Sequence, residues 1–300
     1  MSIDEHWILA DENADAMEAR FFKRGEKYPA TELFFKDEYK SPALLKHDFA
    51  RVVRLYNQRG YSAYFPFNAI RPDFERGSVK DAVMGSLAFC SEFKYGIKKS
   101  NSFCNDPLSY VVKTDLNALY DFENIFIETA RAVLSDSSVS YKSQGHLTNG
   151  VQTAGNIFVQ GKVLKTEIEN IIHTEIKKYQ IQFKDSEEGF IKNWPTSYEI
   201  KGWLVCMQSG GKLAPHMHDS GWITGSIYIN VPPKLKTDCG NLVLCLSDQE
   251  HVLAVEKSQQ STIDVVTGSL CLFPSSLHHY TVPFEEKEDR IVLAFDVIPK

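Results

Sequence analysis

A change of hydrophobic period along the chain constrains the fold most strongly. From residue 198 onward the chain contains short runs rich in Val, Ile, Leu and aromatic residues, such as "GWITGSIYINVPP", "GSLCLFP" and "DRIVLAFDVIP", which Gly, Pro, Asp and Ser separate. Runs of this length and spacing predict about six strands packed as a sandwich or jelly roll.

The earlier part of the chain has a helical period instead. "SPALLKHDFARVVRLYNQRG" begins with a capping serine and a proline at the first helical position, and it ends at a glycine. "DLNALYDFENIFIETARAVL" and "KVLKTEIENIIHTEIKKY" are further amphipathic segments. The sequence therefore predicts an α+β chain, with a mainly helical N-terminal region over residues 1–140. A Ser-, Gly- and Asn-rich stretch separates it from a β domain over residues 145–300.

Composition and charge exclude several classes of function. The chain has 300 residues, of which 43% are hydrophobic and 24% charged, which is typical of a globular protein. A net charge of −6 argues against a nucleic-acid binder, which needs a basic face. The acidic start lacks the apolar core of a signal peptide, and no apolar run is long enough to span a membrane. We therefore expect a cytoplasmic protein with no membrane partner and with six reduced cysteines.

Histidines cluster around the entry to one predicted strand. In "APHMHDSGWITGSIYINVPP", His216 and His218 lie two residues apart, so that in extended backbone their side chains point to the same side. In the later run "FPSSLHHYTVPF", the same alternation places His279 and Thr281 on one face and His278 on the other. Arg290 then opens the strand "RIVLAFDV" and shares a face with Val292 and Ala294.

Together these side chains indicate an iron site with a carboxylate-bearing cosubstrate. Imidazoles are suitable ligands for ferrous iron, and oxygen chemistry needs open coordination positions. The guanidinium of a buried arginine binds a carboxylate through two parallel hydrogen bonds. An HxH pair, a histidine pair or a strand arginine alone would be a weak signal, whereas their combination is specific.

The two segments "PHMHDSGWITGSIYINVP" and "GSLCLFPSSLHHYTVPFEEKEDRIVLAF" resemble the 2-oxoglutarate- and Fe(II)-dependent oxygenases, which are related to prolyl and aspartyl hydroxylases. The resemblance covers roughly residues 145–300. It implies a cupin-like double-stranded β-helix, the cofactor Fe(II), the cosubstrates 2-oxoglutarate and O2, and hydroxylation with release of succinate and CO2. His216 matches the first iron ligand, His279 the distal histidine, and Arg290 the residue that binds the far carboxylate of 2-oxoglutarate. Thr281 is either a further hydrogen-bond donor to this cosubstrate or an ordinary strand residue.

The third iron ligand is where this chain departs from the broader superfamily. The usual pattern has a carboxylate two residues after the first histidine, but this chain has His218 there, and Asp219 follows one residue late. Three arrangements stay open: a site of His216, His218 and His279, a site in which Asp219 replaces His218, and a two-histidine site completed by water. The shared face of His216 and His218 favours the three-histidine site.

Two other classes of function stay open at this stage. A non-oxidative cupin-type metal protein, an isomerase or a sugar-binding module, also has an HxH pair, but the glutamate that usually follows it is missing from "DSGWITG". An inactive oxygenase-fold interaction module would not need His216, His279 and Arg290 together. The substrate, a small molecule or a peptide, and a homodimeric state are not determined by the sequence.

Overall fold

A computed structural model describes Ala82, Gly85, Ser86, Ala88 and Phe89, and the ranges 101–142, 144–160, 166–218, 220–247 and 259–300. The helix predicted over residues 41–60 and the candidate ligand Asp219 lie outside the described residues. The predicted helical character of the N-terminal region therefore stays a prediction over residues 1–81.

The described part of the chain contains ten strands. They are β1 (Val112–Asp115), β2 (Tyr141–Lys142), β3 (Leu147–Thr153), β4 (Tyr198–Leu213), β5 (Ile223–Asn230), β6 (Leu242–Cys245), β7 (Gln260–Ile263), β8 (Ser269–Pro274), β9 (His278–Thr281) and β10 (Arg290–Pro299). The helices are α1 (Glu128–Ser135), which a π-helical turn (Glu123–Ile127) precedes, α2 (Ile157–Gln160), α3 (Thr166–Gln182) and α4 (Gly189–Lys192), with a 3-10 turn at Pro107–Tyr110. Helices predicted from "DLNALYDFENIFIETARAVL" and "KVLKTEIENIIHTEIKKY" are confirmed as the segment ending in α1 and as α3.

The strands form two antiparallel sheets. A seven-stranded sheet has the order β1-β8-β5-β10-β4-β3-β2, and a three-stranded sheet has the order β7-β6-β9. A core of Tyr228, Leu242, Leu244, Phe273 and Val292, which comes from strands of both sheets, packs between them. This architecture confirms the predicted double-stranded β-helix, in which two sheets enclose a core and leave a cavity at one end.

Strand alternation explains how the large sheet buries both of its faces. On β10, Leu293, Phe295 and Val297 join a second core, and α3 adds Ile172 and Ile176 to it. The intervening residues of β10 face the space between the sheets. A sheet that is covered on both sides needs strands with few exposed positions, and β5 is buried along nearly its whole length.

The predicted division of the chain near residues 140–145 stays a prediction, and the seven-stranded sheet includes a strand from its N-terminal side. β1 precedes this boundary in sequence and pairs with β8 at the edge of the seven-stranded sheet. The five described cysteines are free thiols, four of them buried, which agrees with the prediction of reduced cysteines. Among the described residues, no helix has the length and apolarity required to cross a bilayer.

Candidate metal centre

The candidate site is a cavity of about 520 Å³, its open mouth included, between the two sheets. Its walls are mainly apolar, and its polar groups are imidazoles, hydroxyls, one amide and one guanidinium. The polar lining residues are Gln144, His216, His218, Thr224, Ser226, Tyr228, His279, Thr281 and Arg290. Small-molecule sites typically combine apolar walls with polar groups that orient the ligand, although here half of the lining residues are polar.

A single backbone bridge brings the two histidine segments together. β4 ends at Leu213, and beyond it the His216 amide donates to the His279 carbonyl at 3.1 Å, while the His279 amide donates back at 2.8 Å. The ring centroids of His216 and His279 are consequently 4.3 Å apart. The sequence predicted that imidazoles from these separate segments meet, and the structure brings them together.

His218 completes a cluster of three imidazoles. Its ring centroid lies 5.4 Å from that of His216 and 4.8 Å from that of His279. One ring nitrogen from each of the three residues lies within 4.8 Å of the other two. His216 and His218 lie in the connection between β4 and β5 rather than inside a strand, so their convergence depends on the bridge as well as on alternation.

Hydrogen bonds orient two of the three rings. The Nδ1–H of His216 donates to the Ala214 carbonyl at 2.8 Å, and the Nδ1–H of His218 donates to Oδ1 of Asp296 at 2.7 Å. Carbonyl and carboxylate oxygens only accept, which assigns the proton to Nδ1 and the lone pair to Nε2. Histidine ligands of metals commonly have this arrangement, in which the second nitrogen bonds to an oxygen.

The electrostatics of the cluster favour neutral imidazoles. Burial and, to a smaller extent, the nearby imidazole of His218 together lower the pKa of His216 to about 3. Burial also lowers the pKa of His279, and His216 and His218 add to the effect. A metal binds the neutral form of histidine, so the lowered pKa values of His216 and His279 favour metal binding.

The donor set fits a first-row transition metal. Three imidazoles are suitable ligands for Fe(II), and also for Zn(II) and Ni(II). Nδ1 of His279 is buried and has no hydrogen-bond partner, which costs free energy in the absence of a ligand or water. In the part of the chain that the structure describes, this is the one cluster of three potential ligands close enough to share an ion.

A different carboxylate from the predicted one approaches the cluster. Asp219 lies outside the described residues, so its role as an alternative ligand stays untested. Asp296 was missed from the sequence, although alternation along β10 places it on the face of Arg290, Val292 and Ala294. Asp296 accepts a hydrogen bond from Nδ1 of His218, and it does not belong to the three-histidine cluster.

Arg290 contributes a buried cation to the same cavity. Only 2% of the residue is exposed, its Nε has no hydrogen-bond partner, and its guanidinium carbon lies 5.0 Å from the ring centroid of Tyr228. Burial lowers the pKa of this guanidinium. The described residues that line the cavity with Arg290 include no carboxylate.

The other predicted faces agree with the structure. His279 and Thr281 line the cavity, whereas His278 points to the opposite side, with its Nδ1 3.3 Å from the hydroxyl of Ser86. Tyr228 of β5 also lines the cavity. Sequence reasoning missed Gln144 and Trp203, because the hairpin and the long strand that carry them have no distinctive motif.

Comparisons with known proteins identify the β-rich part of the chain. Residues 201–296 match the model of a family described as "Putative 2OG-Fe(II) oxygenase", which confirms the resemblance that the motifs indicate. No curated protein sequence matches the chain.

Solved structures with a similar fold have low sequence identity. A Pseudomonas putida prolyl-4-hydroxylase is 10% identical, with a TM-score of 0.45 over 63% of this chain and 92% of its own. A Trichoplax adhaerens prolyl hydroxylase in complex with a hypoxia-inducible-factor peptide is 12% identical, with a TM-score of 0.47 over 65% and 84%. HygX from Streptomyces hygroscopicus, with nickel and 2-oxoglutarate bound, is 11% identical, with a TM-score of 0.43 over 65% and 87%.

Proposed function

We propose that this chain, whose residues 201–296 match the Fe(II)- and 2-oxoglutarate-dependent oxygenases, is a dioxygenase that hydroxylates an unactivated C–H bond and releases succinate and CO2. One observation carries the proposal: the imidazoles of His216, His218 and His279 converge in a cavity that also contains a buried arginine and no described carboxylate. An oxygenase of this class needs those two features, a metal site and an anion site, in one enclosed space.

The three histidines hold the metal in this proposal. The hydrogen bonds of His216 and His218 occupy Nδ1 and leave Nε2 of both rings available to a metal. Bound Fe(II), together with 2-oxoglutarate and O2, supplies the oxidising chemistry. The third ligand, which the sequence left open, is assigned here to His218 because its ring belongs to the observed cluster.

Arg290 binds the far carboxylate of 2-oxoglutarate. Its guanidinium is fully buried, and attraction between opposite charges is stronger away from water. The hydroxyls of Thr281 and Tyr228 line the same cavity and add hydrogen-bond donors for this carboxylate. Apolar neighbours such as Phe273 and Val292 exclude water from the reacting groups.

Succinate formation tests the proposal directly. We expect the purified chain, supplied with Fe(II), 2-oxoglutarate and O2, to form succinate slowly even without its substrate, and to form none under anaerobic conditions. His279→Ala and Arg290→Met should abolish the reaction. Arg131→Met is the matched control, because Arg131 is exposed and pairs with Glu123 and Glu128 at the surface.

The same assay separates the oxygenase from a non-oxidative metal protein. Three imidazoles without a carboxylate also suit a metal site that performs no oxidation, which keeps the cupin-type alternative as the second candidate. Metal binding with neither 2-oxoglutarate binding nor succinate formation would favour that alternative. The small-molecule or peptide nature of the substrate, a cytoplasmic location and a homodimeric state stay predictions.

A further inference from the structure

Asp296 and His218 form a shielded pair behind the candidate metal centre. Their side chains are only 8% and 11% exposed, and His218 Nδ1 lies 2.7 Å from Asp296 Oδ1. Most ion pairs elsewhere in the described chain join exposed side chains, such as Arg131 with Glu128. Removing a carboxylate from water costs free energy, so a shielded pair of this kind must be stabilised by further hydrogen bonds.

Two hydroxyl groups hold the carboxylate in place. The Thr224 hydroxyl donates to Asp296 Oδ1 at 3.0 Å, and it lies 2.8 Å from the hydroxyl of Ser275. Because the Thr224 hydroxyl uses its hydrogen in the bond to Asp296, it accepts a hydrogen bond from the Ser275 hydroxyl. The chain therefore runs from Ser275 through Thr224 to Asp296, and the same Asp296 oxygen accepts from His218.

The register between β5 and β10 places Thr224 next to Asp296. Thr224 of β5 is the direct antiparallel partner of Asp296 on β10. A Cβ atom added at Gly221 would lie 2.5 Å from Ser275 Oγ and 3.1 Å from Asp296 Oδ1. The missing side chain at Gly221 thus leaves the space that this hydrogen-bond chain occupies.

We propose that Asp296 is a positioning residue of the metal centre, an inference that rests on the proposed metal-binding function of His218. The carboxylate fixes the Nδ1–H tautomer of His218, so that Nε2 is the nitrogen available to the metal. It also provides negative charge next to a cluster of three potential ligands that contains no carboxylate. Asp296 would thus act on the metal centre through the imidazole of His218 rather than as a ligand.

Metal affinity distinguishes a positioning role from a merely structural one. We expect Asp296→Asn to weaken Ni(II) binding to the metal-free full chain by about 10- to 100-fold, measured by titration calorimetry. Asn presents an oxygen or an amide group of similar size, so the packing is retained while the charge is lost. Asp289→Asn is the control, because Asp289 is exposed and, within the described part of the chain, its carboxylate accepts a hydrogen bond from the Cys206 thiol at 3.7 Å, away from the cluster.

Nuclear magnetic resonance of the wild-type protein provides a second test that needs no variant to fold. With 15N-labelled histidine and diamagnetic Zn(II) as the probe, we expect the His218 proton on Nδ1 and the metal on Nε2. A proton on Nε2 would overturn the inference. Unchanged Ni(II) affinity in a folded Asp296→Asn protein would also overturn it while leaving the proposed function intact. A wild-type chain that binds neither metal through these histidines would instead contradict both.

Discussion

At the scale of single residues, the buried guanidinium of Arg290 is the group that most clearly needs an anionic partner. It is 2% exposed and lines a cavity with no described carboxylate. Arg290→Lys keeps the charge but loses the planar fork, so we expect about tenfold weaker binding of 2-oxoglutarate to the Ni(II)-loaded protein. Arg290→Met loses the charge as well and should cost about 2–5 kcal/mol of binding free energy. Titration calorimetry measures both, and equal affinities for Lys and Met would argue against a bidentate contact.

His278, on the opposite face of its strand from the site, should make the free energy of unfolding depend on pH. Burial lowers its pKa in the folded state to about 3, whereas the unfolded value is about 6.5. Between these values the unfolded chain binds the additional proton, so the folded state loses stability as the pH falls below about 6.5.

The size of this effect follows from the same difference. We expect His278→Gln to remove about 1.4 kcal/mol of pH dependence per unit between about pH 6 and 4. Urea unfolding of both metal-free proteins in the presence of a chelator measures it. The other ionisable groups are common to the two proteins, so their contribution cancels in the difference. Parallel curves for wild type and variant would contradict the assignment.

At the scale of elements, the contact between β5 and β10 has no spare volume. Gly225 is the register partner of Phe295, and a Cβ added there would overlap the Phe295 ring. Gly225→Ala should therefore lower the free energy of unfolding by about 1–3 kcal/mol. Gly145→Ala is the control, because nothing lies within 4 Å of an added Cβ there. If the clash causes the loss, adding Phe295→Leu to Gly225→Ala should recover part of the lost stability. A Gly225→Ala protein as stable as wild type would show that the clash does not occur.

The elements also show how far sequence patterns reach. Alternation correctly separates His279 and Thr281 from His278, and Arg290 from its neighbours on β10, because side-chain direction in a strand is a local property. The bridge between His216 and His279 is not local, and neither is the pairing of Asp296 with Thr224. Such register depends on which strands become neighbours, and the local patterns of a single sequence do not reveal that. Asp296 was missed for this reason.

At the scale of the whole molecule, the candidate metal centre forms only when distant parts of the chain are folded together. Its proposed ligands follow β4 and lie on β9, and the arginine begins β10. A metal that binds these groups in the native state alone raises the free energy of unfolding, by about 2.7 kcal/mol at a concentration 100 times its dissociation constant. Metal loading is therefore a test of global folding as well as of the site.

Thermal unfolding should report this linkage. We expect Ni(II) at that concentration to raise the unfolding temperature by about 5–10 °C, since 1 kcal/mol corresponds to a few degrees in a chain of this size. His279→Ala should remove most of the increase. His173→Ala is the control, because His173 lies on α3 and its ring bonds to the hydroxyl of Tyr198 at 3.1 Å, away from the cavity lining. An equal increase in both variants would mean that the metal stabilises the protein from some other position, and the three imidazoles would lose their assigned role.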